Sequence, residues 1–228
     1  DRVLKRVDQV SAEDVFENLM NAYARSYDPH SSYFSPRNSE EYRIQMSLNY
    51  EGIGASLQLI DDFVTVMNVI EGGPAAVAGT LKPTDRIVGV AQGADGAFTD
   101  VIGWRIDDVV QLIRGKGGTL VRLHVLPGGA APGAPEKTLA FTRNKVTLEA
   151  QAAQKSLHTL ERSGRSYRIG VISVPGLYQD IAAQNAGDDD SRSTTRDVHR
   201  LIDELRQEKI DGLVLDLRGN GGGYLPEA

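Results

Sequence analysis

Gly212-Leu-Val-Leu-Asp-Leu-Arg-Gly-Asn-Gly-Gly-Gly223 joins a near-continuous apolar run to a cluster of glycines. Leu213 to Leu217 reads as a short buried strand, because an apolar run bounded by a turn suits a parallel strand covered on both faces. The glycines then bare the backbone. Without Cβ atoms, successive N–H groups can point into one small concavity, and such a nest binds an anion or a developing oxyanion. A tight turn is the other reading of the same residues. Upstream, Thr194 to Glu208 is an amphipathic helix with Val198, Leu201, Ile202 and Leu205 on one face, capped by Thr194 with Asp197 and closed by Gly212. Tyr167 to Val174 reads as the strand before it, so strand, helix and strand make a βαβ unit, expected to be parallel and right-handed. The polar stretch Gln179 to Ser193 carries too little apolar surface to offset the entropy of ordering it, and a mobile loop is expected there.

Residues 1 to 45 read as helical. Ser11 and Asp14 form a capping-box pattern ahead of Val15, Phe16, Leu19, Met20 and Tyr23, whose spacing gives one apolar face. Asp28-Pro29 ends that helix, and Ser35-Pro36 starts a shorter one towards Met46. This segment is expected to be a packing arm. From 46 to 145 the pattern changes to short β-type runs: Ala55 to Ile60, Phe63 to Ile70, Arg86 to Ala91, Leu120 to Leu126 and Lys137 to Arg143. Pro74 to Gly79 and Asp107 to Arg114 are helical interruptions, and Pro127 to Pro135 is a Gly/Ala/Pro loop joining two strands. Val146 to Ala150 reads as one more strand.

A chain of 228 residues with 40% hydrophobic and 25% charged residues is an ordinary globular one with room for one or two domains. No apolar run approaches the roughly 18–20 residues of a membrane span. A formal net charge of −6 with scattered basic residues argues against a nucleic-acid surface. With no cysteine, disulfides and Cys-ligated zinc are excluded, and the redox compartment stays open. The chain opens at Asp1 without a charged and apolar leader, so any signal peptide is expected to have been removed or not included. His30, His124, His158 and His199 show no metal-ligand spacing, and no cofactor is expected. There is no His-Glu-x-x-His, Gly-x-Ser-x-Gly, Ser-x-x-Lys or Walker-type glycine loop. Gly219 and Gly221 do not make a dinucleotide fingerprint either, since Tyr224 stands where the third glycine would be.

Glu51-Gly-Ile-Gly-Ala55, opening the run to Ile60, and Gly72-Gly-Pro-Ala-Ala-Val-Ala-Gly79, leading on to Asp85-Arg-Ile87, resemble a PDZ domain. The resemblance implies that the backbone N–H groups of Gly52, Ile53, Gly54 and Ala55 hold a peptide's terminal carboxylate while the peptide adds itself as a strand beside Ala55 to Ile60. Leu57 and Leu59, on one face of that strand, are candidates for the wall of the side-chain pocket or for ordinary core. Thr84 departs from the pattern, standing where such domains usually have glycine.

Asp28-Pro-His-Ser-Ser-Tyr33, the PDZ-like segment and Leu215-Asp-Leu-Arg-Gly-Asn-Gly-Gly-Gly223, in that order, resemble the tail-specific (carboxy-terminal processing) proteases, serine peptidases of the S41 family. That resemblance implies an α+β multidomain protein: a helical N-terminal arm over 1–45, a PDZ domain over 46–145, and a partial α/β (βαβ) catalytic core over 146–228. It implies a periplasmic endopeptidase that binds apolar C-terminal tails and cleaves with a serine nucleophile and a lysine base. Both lie beyond the glycine cluster in that family, so this chain is expected to be an inactive N-terminal part carrying only the glycine half of an oxyanion site, at Gly221 or Gly222. Either self-association through residues 146 to 228, by way of an unpaired strand edge, or disorder near the C-terminus is expected with it. Two rivals stand beside this reading: a non-enzymatic peptide-binding adaptor whose glycines are only a turn, and a noncatalytic relative that binds small apolar ligands.

Overall fold

The computed structural model describes residues 10–130 and 133–228; the helical reading of residues 1–9 and the middle of the Pro127 to Pro135 loop lie outside the described residues. The chain forms two compact units, residues 1–45 and 46–228. In the first, α1 (Ala12–Tyr27) starts in a full capping box, with the Asp14 N–H donating to Ser11 Oγ at 3.1 Å and the Ser11 N–H to Asp14 Oδ2 at 2.9 Å. Its apolar stripe is not packed away: Val15, Phe16, Leu19 and Tyr23 are all exposed, although the Phe16 ring meets Tyr33 edge-on. α2 (Pro36–Ser47) begins on Ser35, whose Oγ accepts from the Asn38 N–H at 3.4 Å.

The second unit opens with β1 (Asn49–Gly52), β2 (Ala55–Ile60), β3 (Phe63–Val69), α3 (Pro74–Ala78), β4 (Arg86–Gln92), β5 (Thr99–Asp100), α4 (Ile106–Ile113), β6 (Leu120–Leu126) and β7 (Lys137–Thr142). One antiparallel sheet runs β2-β3-β4-β6-β7, with β5 beside β4. Strand alternation puts Val121, Leu123 and Val125 on one face of β6, where they meet Val64, Val66, Ile87 and Val90 from the sheet and Val109 and Ile113 from α4. Each such side chain, fully buried, stabilises by about 1.5–3 kcal/mol. Thr84 takes φ 73°, the left-handed conformation that glycine adopts without strain, so a threonine at this position carries a cost in backbone energy.

The expected strand over Val146 to Ala150 is displaced. β8 (Asn144–Thr147) pairs with β1, Asn49 opposite Thr147, and the ladder stops where its partner stops. The Leu148 N–H turns onto the Leu48 carbonyl at 2.8 Å, and Glu149–Gln151 winds into a single 3₁₀ turn. A third sheet follows, β9 (Gln154–Arg162), β10 (Arg165–Ser173) and β11 (Gly212–Asp216) in the order β11-β10-β9. β10 and β11 are parallel, Ile169 opposite Gly212 through Ser173 opposite Asp216, with α6 (Thr194–Gln207) in the crossover. Leu201 and Leu205 of α6 pack on Ile172 and Val174, as the helix periodicity requires.

Four expectations in this region change. β11 is the sheet edge and not a covered strand: Leu213, Val214 and Leu215 are 43%, 48% and 50% exposed, because β10 flanks it on one side only among the described residues. The cap of α6 is Ser193, whose side chain accepts from the Arg196 N–H at 3.2 Å, while Thr194 Oγ1 faces inward and accepts from the Tyr178 N–H at 2.7 Å. The helix ends at Gln207 with Glu208 as its C-cap, and Lys209 after it turns the chain at φ 54°; Gly212 is already in β11. The 179–193 stretch is structured at both ends. Asp180 caps a short α5 (Ile181–Asn185), and backbone bonds from Asp180 to Arg192 at 2.8 Å and from Thr194 to Tyr178 at 2.9 Å close its base.

Candidate functional site

β2 is the outer strand of its sheet, and the four residues Gly52 to Ala55 lead into it. The Ile53 carbonyl accepts from the Ala75 N–H at 2.8 Å and the Gly54 carbonyl from the Ile70 N–H at 2.9 Å. In a trans peptide plane the C=O of one residue and the N–H of the next point in opposite directions. The N–H groups of Gly54 and Ala55 are therefore aimed away from α3 and β3 at the head of β2, the Ala55 N–H facing the Tyr50 oxygen. Only glycine permits this turn, since Gly54 sits at φ 78° and a Cβ there would lie 3.0 Å from the Gly73 Cα. Gly54→Ala is expected to destabilise this sheet by about 1–3 kcal/mol, the cost of a strained residue plus a backbone displacement. Hydrogen exchange at β2 and β3 amides measures it, and unchanged protection would refute the close-approach account.

α4 flanks β2 and runs against it. Its C-terminal end is tied to the loop, with the Gly115 N–H reaching the Glu51 carbonyl at 3.4 Å, and its N-terminal end is tied to the β2–β3 turn, with the Gly103 N–H on the Asp62 carbonyl at 2.8 Å. Ala55 and Leu57 are partly buried against the core that α4 completes, whereas Leu59 is 36% exposed. The six residues singled out from the sequence thus form one groove wall and its head, with Ile53 itself buried.

Three residues that sequence reasoning passed over hold this groove. Arg143 is 4% exposed and donates Nε to the Ile113 carbonyl at 2.8 Å and Nη2 to the Leu112 carbonyl at 2.9 Å and to Gln92 Oε1 at 2.6 Å. A guanidinium on the last carbonyls of α4 satisfies acceptors that the helix cannot, and favours its negative end. Burial lowers the Arg143 pKa without bringing it near neutrality. Tyr50, 8% exposed, lies against Gly52, and the Arg114 guanidinium sits 5.0 Å from its ring centroid. Burial pushes the Tyr50 phenol up, opposed by Arg114 and by the Ala55 N–H that faces its oxygen. A buried arginine at a strand end and a tyrosine beside a glycine carry no spacing signal.

The glycine cluster lies on the other sheet. Arg218 clamps Asp216 through Nε–Oδ1 at 2.9 Å and Nη2–Oδ2 at 2.7 Å, which holds the carboxyl at about 2, so it is ionised at any ordinary pH. Gly219 turns at φ 75°, and the Asn220 N–H reaches back to the Leu217 carbonyl at 3.1 Å. Asn220 then pins the loop with its own side chain, Nδ2 on the Val174 carbonyl at 2.9 Å and Oδ1 accepting from the Gly222 N–H at 2.7 Å. Of the two oxyanion candidates, Gly222 has its N–H engaged, and the Gly221 N–H has no partner among the described residues. Beside this turn is a shallow depression whose lining includes Ser156, His158, Ser173 and Asp216. Among the described residues no group of acidic and histidine side chains is placed to hold a metal ion, and no helix is long and apolar enough to cross a membrane.

Three family models match the chain in succession: the tail-specific protease N-terminal domain over residues 1–37, the PDZ domain over 41–126 and peptidase family S41 over 168–228. A tail-specific protease of Haemophilus influenzae is 38% identical over 225 residues, covering 99% of this chain and 29% of the relative. The carboxy-terminal processing protease CtpA of Bacillus subtilis is 28% identical over 201 residues, covering 88% of this chain and 36% of the relative. The chain therefore spans about a third of the length of these curated relatives. Among solved structures, the PDZ domain of a carboxy-terminal protease from Vibrio cholerae, in complex with a peptide, is 46% identical with a TM-score of 0.42, covering 44% of this chain and all of that one.

Proposed function

From the premise that this chain belongs to the S41 tail-specific proteases, we propose that it carries the tail-recognition and oxyanion-side elements of a periplasmic serine endopeptidase acting on proteins with apolar C-terminal tails. In this reading Gly54 and Ala55, within the Gly52 to Ala55 loop, receive the tail's carboxylate, the tail pairs with the open edge of β2, and Leu57 and Leu59 line the groove. Gly221, with Gly222 beside it, stands towards a developing oxyanion. The observation that carries the reading is the inward anchoring of the Ile53 and Gly54 carbonyls, which turns the Gly54 and Ala55 N–H groups away from α3 and β3 at the head of a strand with one open edge.

The test is a titration of matched peptides. A peptide ending in free apolar residues is expected to bind, and its C-terminal amide to bind about 1.5–3 kcal/mol more weakly, the worth of hydrogen bonds to a charged group. Equal affinities would remove the loop as a carboxylate site. The adaptor reading shares that result and differs on catalysis. In the protease reading the nucleophile is a serine with a lysine base, and no residue of this chain is assigned either role, since a general base must stand within reach of the nucleophile's proton. The purified 228-residue chain is accordingly expected to bind tails without hydrolysing them, and to self-associate through the exposed β11 edge. Turnover surviving a contaminant control, or a strict monomer on sedimentation, would count against the respective half of that statement.

A further inference from the structure

The groove between β2 and α4 has a far end, and its chemistry differs from that of the head. Val101 is fully buried in the core, and from it residues 102–105 lead into α4; within them the Gly103 N–H is bonded to Asp62 in the β2–β3 turn at 2.8 Å. This short segment therefore spans the mouth of the groove, from the end of β2 to the start of α4. Its two large apolar side chains are not covered. Ile102 is 44% and Trp104 40% exposed. Along the α4 side of β2 the cover thins in the same direction, from Ala55 and Leu57, packed on the core, to Leu59 at 36% exposure.

The register of an added strand decides what would reach that mouth. β2 runs from Ala55 to Ile60, five steps of roughly 3.3–3.4 Å, so the mouth lies about 17 Å from the carboxylate loop. A peptide entering antiparallel with its terminus at Gly54 and Ala55 places about its fifth residue upstream there. We infer that Trp104, with Ile102 and Leu59, forms a second apolar subsite for tail residues about five positions upstream of the C-terminus, so that recognition reads an apolar anchor there as well as the last side chains. The inference rests on the carboxylate reading above and adds a length and position requirement to it. It makes Trp104 a specificity-determining residue that the terminal three or four residues of a tail never touch.

Trp104 is the only tryptophan in the chain, so its emission reports this subsite alone. Two tryptophan-free free-acid peptides serve as probes: a tetrapeptide with an apolar terminus, and a decapeptide with the same last four residues and leucine at the fifth and sixth positions from the end. The decapeptide is expected to bind about ten-fold more tightly and to shift Trp104 emission to the blue, as burial of one apolar side chain implies. The tetrapeptide is expected to bind without the shift. Trp104→Ala should abolish the ten-fold advantage and leave tetrapeptide affinity unchanged, which also shows that the domain is folded; serines at the two upstream positions should do the same to the unaltered protein. Equal affinity of both peptides, or a Trp104→Ala loss shared equally by both, overturns the subsite while leaving the carboxylate reading intact. An emission shift that follows protein concentration and not peptide assigns the patch to a second copy and overturns it as well. Tetrapeptide binding that ignores C-terminal amidation sinks the carboxylate reading, and this inference falls with it.

Discussion

Asp197→Ala is expected to lower the local stability of α6 and β10 by about 1–3 kcal/mol, the cost of leaving a buried donor without its acceptor. Asp197 is 8% exposed, and its Oδ2 accepts two bonds, from the Tyr178 hydroxyl at 2.6 Å and from Arg192 Nε at 3.1 Å. Tyr178 is itself 2% exposed, and its oxygen also accepts from the Ala153 N–H at 3.0 Å. Deleting the carboxylate thus leaves the Tyr178 hydroxyl without its acceptor and takes one of two carboxylates from Arg192. Arg192 keeps a second partner, the exposed Glu149, through a bidentate pair at 2.6 and 2.7 Å, which raises its pKa and keeps it charged and compensated, so the loss falls mainly on the Tyr178 hydroxyl. Asp197→Asn should recover part of the loss, because its amide oxygen can take the Oδ2 position and accept both bonds, while the charge opposite Arg192 is gone. Tyr178→Phe should cost less, about 1–2 kcal/mol, since the carboxylate keeps Arg192 and only the Ala153 N–H loses its acceptor. Native-state hydrogen exchange at α6 amides, with β6 amides as an internal reference, reads these losses separately for the two sheets. Loss of protection in both sheets alike would mean that the network does not belong to the α6 region alone.

The same network explains what the sequence hid. Glu149 lies 43 residues before Arg192 and Tyr178 lies 19 before Asp197, and a polar stretch with three successive aspartates has the composition of an unordered loop. Its order comes from long-range polar pairing that no local pattern encodes. The elements that were legible are those with a period: α1 with its capping box, β2, β6, α4 and α6 fall within a residue or two of the expected bounds. β9 was not legible, because seven of its nine residues are exposed in a row after Lys155 and no alternation survives on a strand uncovered on both faces. β1 failed for another reason, since four residues are too few to show a period and their pairing with β8 is fixed by contacts nearly a hundred residues away. The candidate site divides in the same way. Gly54 announced itself, as left-handed turns at close approaches require glycine, while Arg143, Tyr50 and Trp104 act through position in space.

Within the glycine cluster the residues are not equivalent, and Gly223→Ala is expected to have a far larger effect than Gly221→Ala. Gly223 holds φ 144°, a conformation L side chains rarely adopt, and a Cβ there would overlap the Leu177 carbonyl oxygen. That carbonyl accepts from the Tyr224 N–H at 2.7 Å, and the Leu177 N–H donates to the Gly222 carbonyl at 2.9 Å, so the two bonds that close the turn onto the segment after β10 both run through the disputed space. Losing them together with the strain of the substitution amounts to about 3 kcal/mol, on the order of a hundred-fold in local opening. Gly221 has open space around a Cβ and no positive φ, so alanine should be accepted there with its N–H still unpaired and still pointing where it did. The measurement is exchange at the Leu177 and Tyr224 amides in the two variants. Fast exchange in Gly223→Ala with native exchange in Gly221→Ala separates a glycine needed for the backbone from one whose position the turn does not depend on. Equal behaviour of the two would mean that the turn tolerates displacement, and a loop that tolerates displacement cannot keep an oxyanion donor in a fixed place.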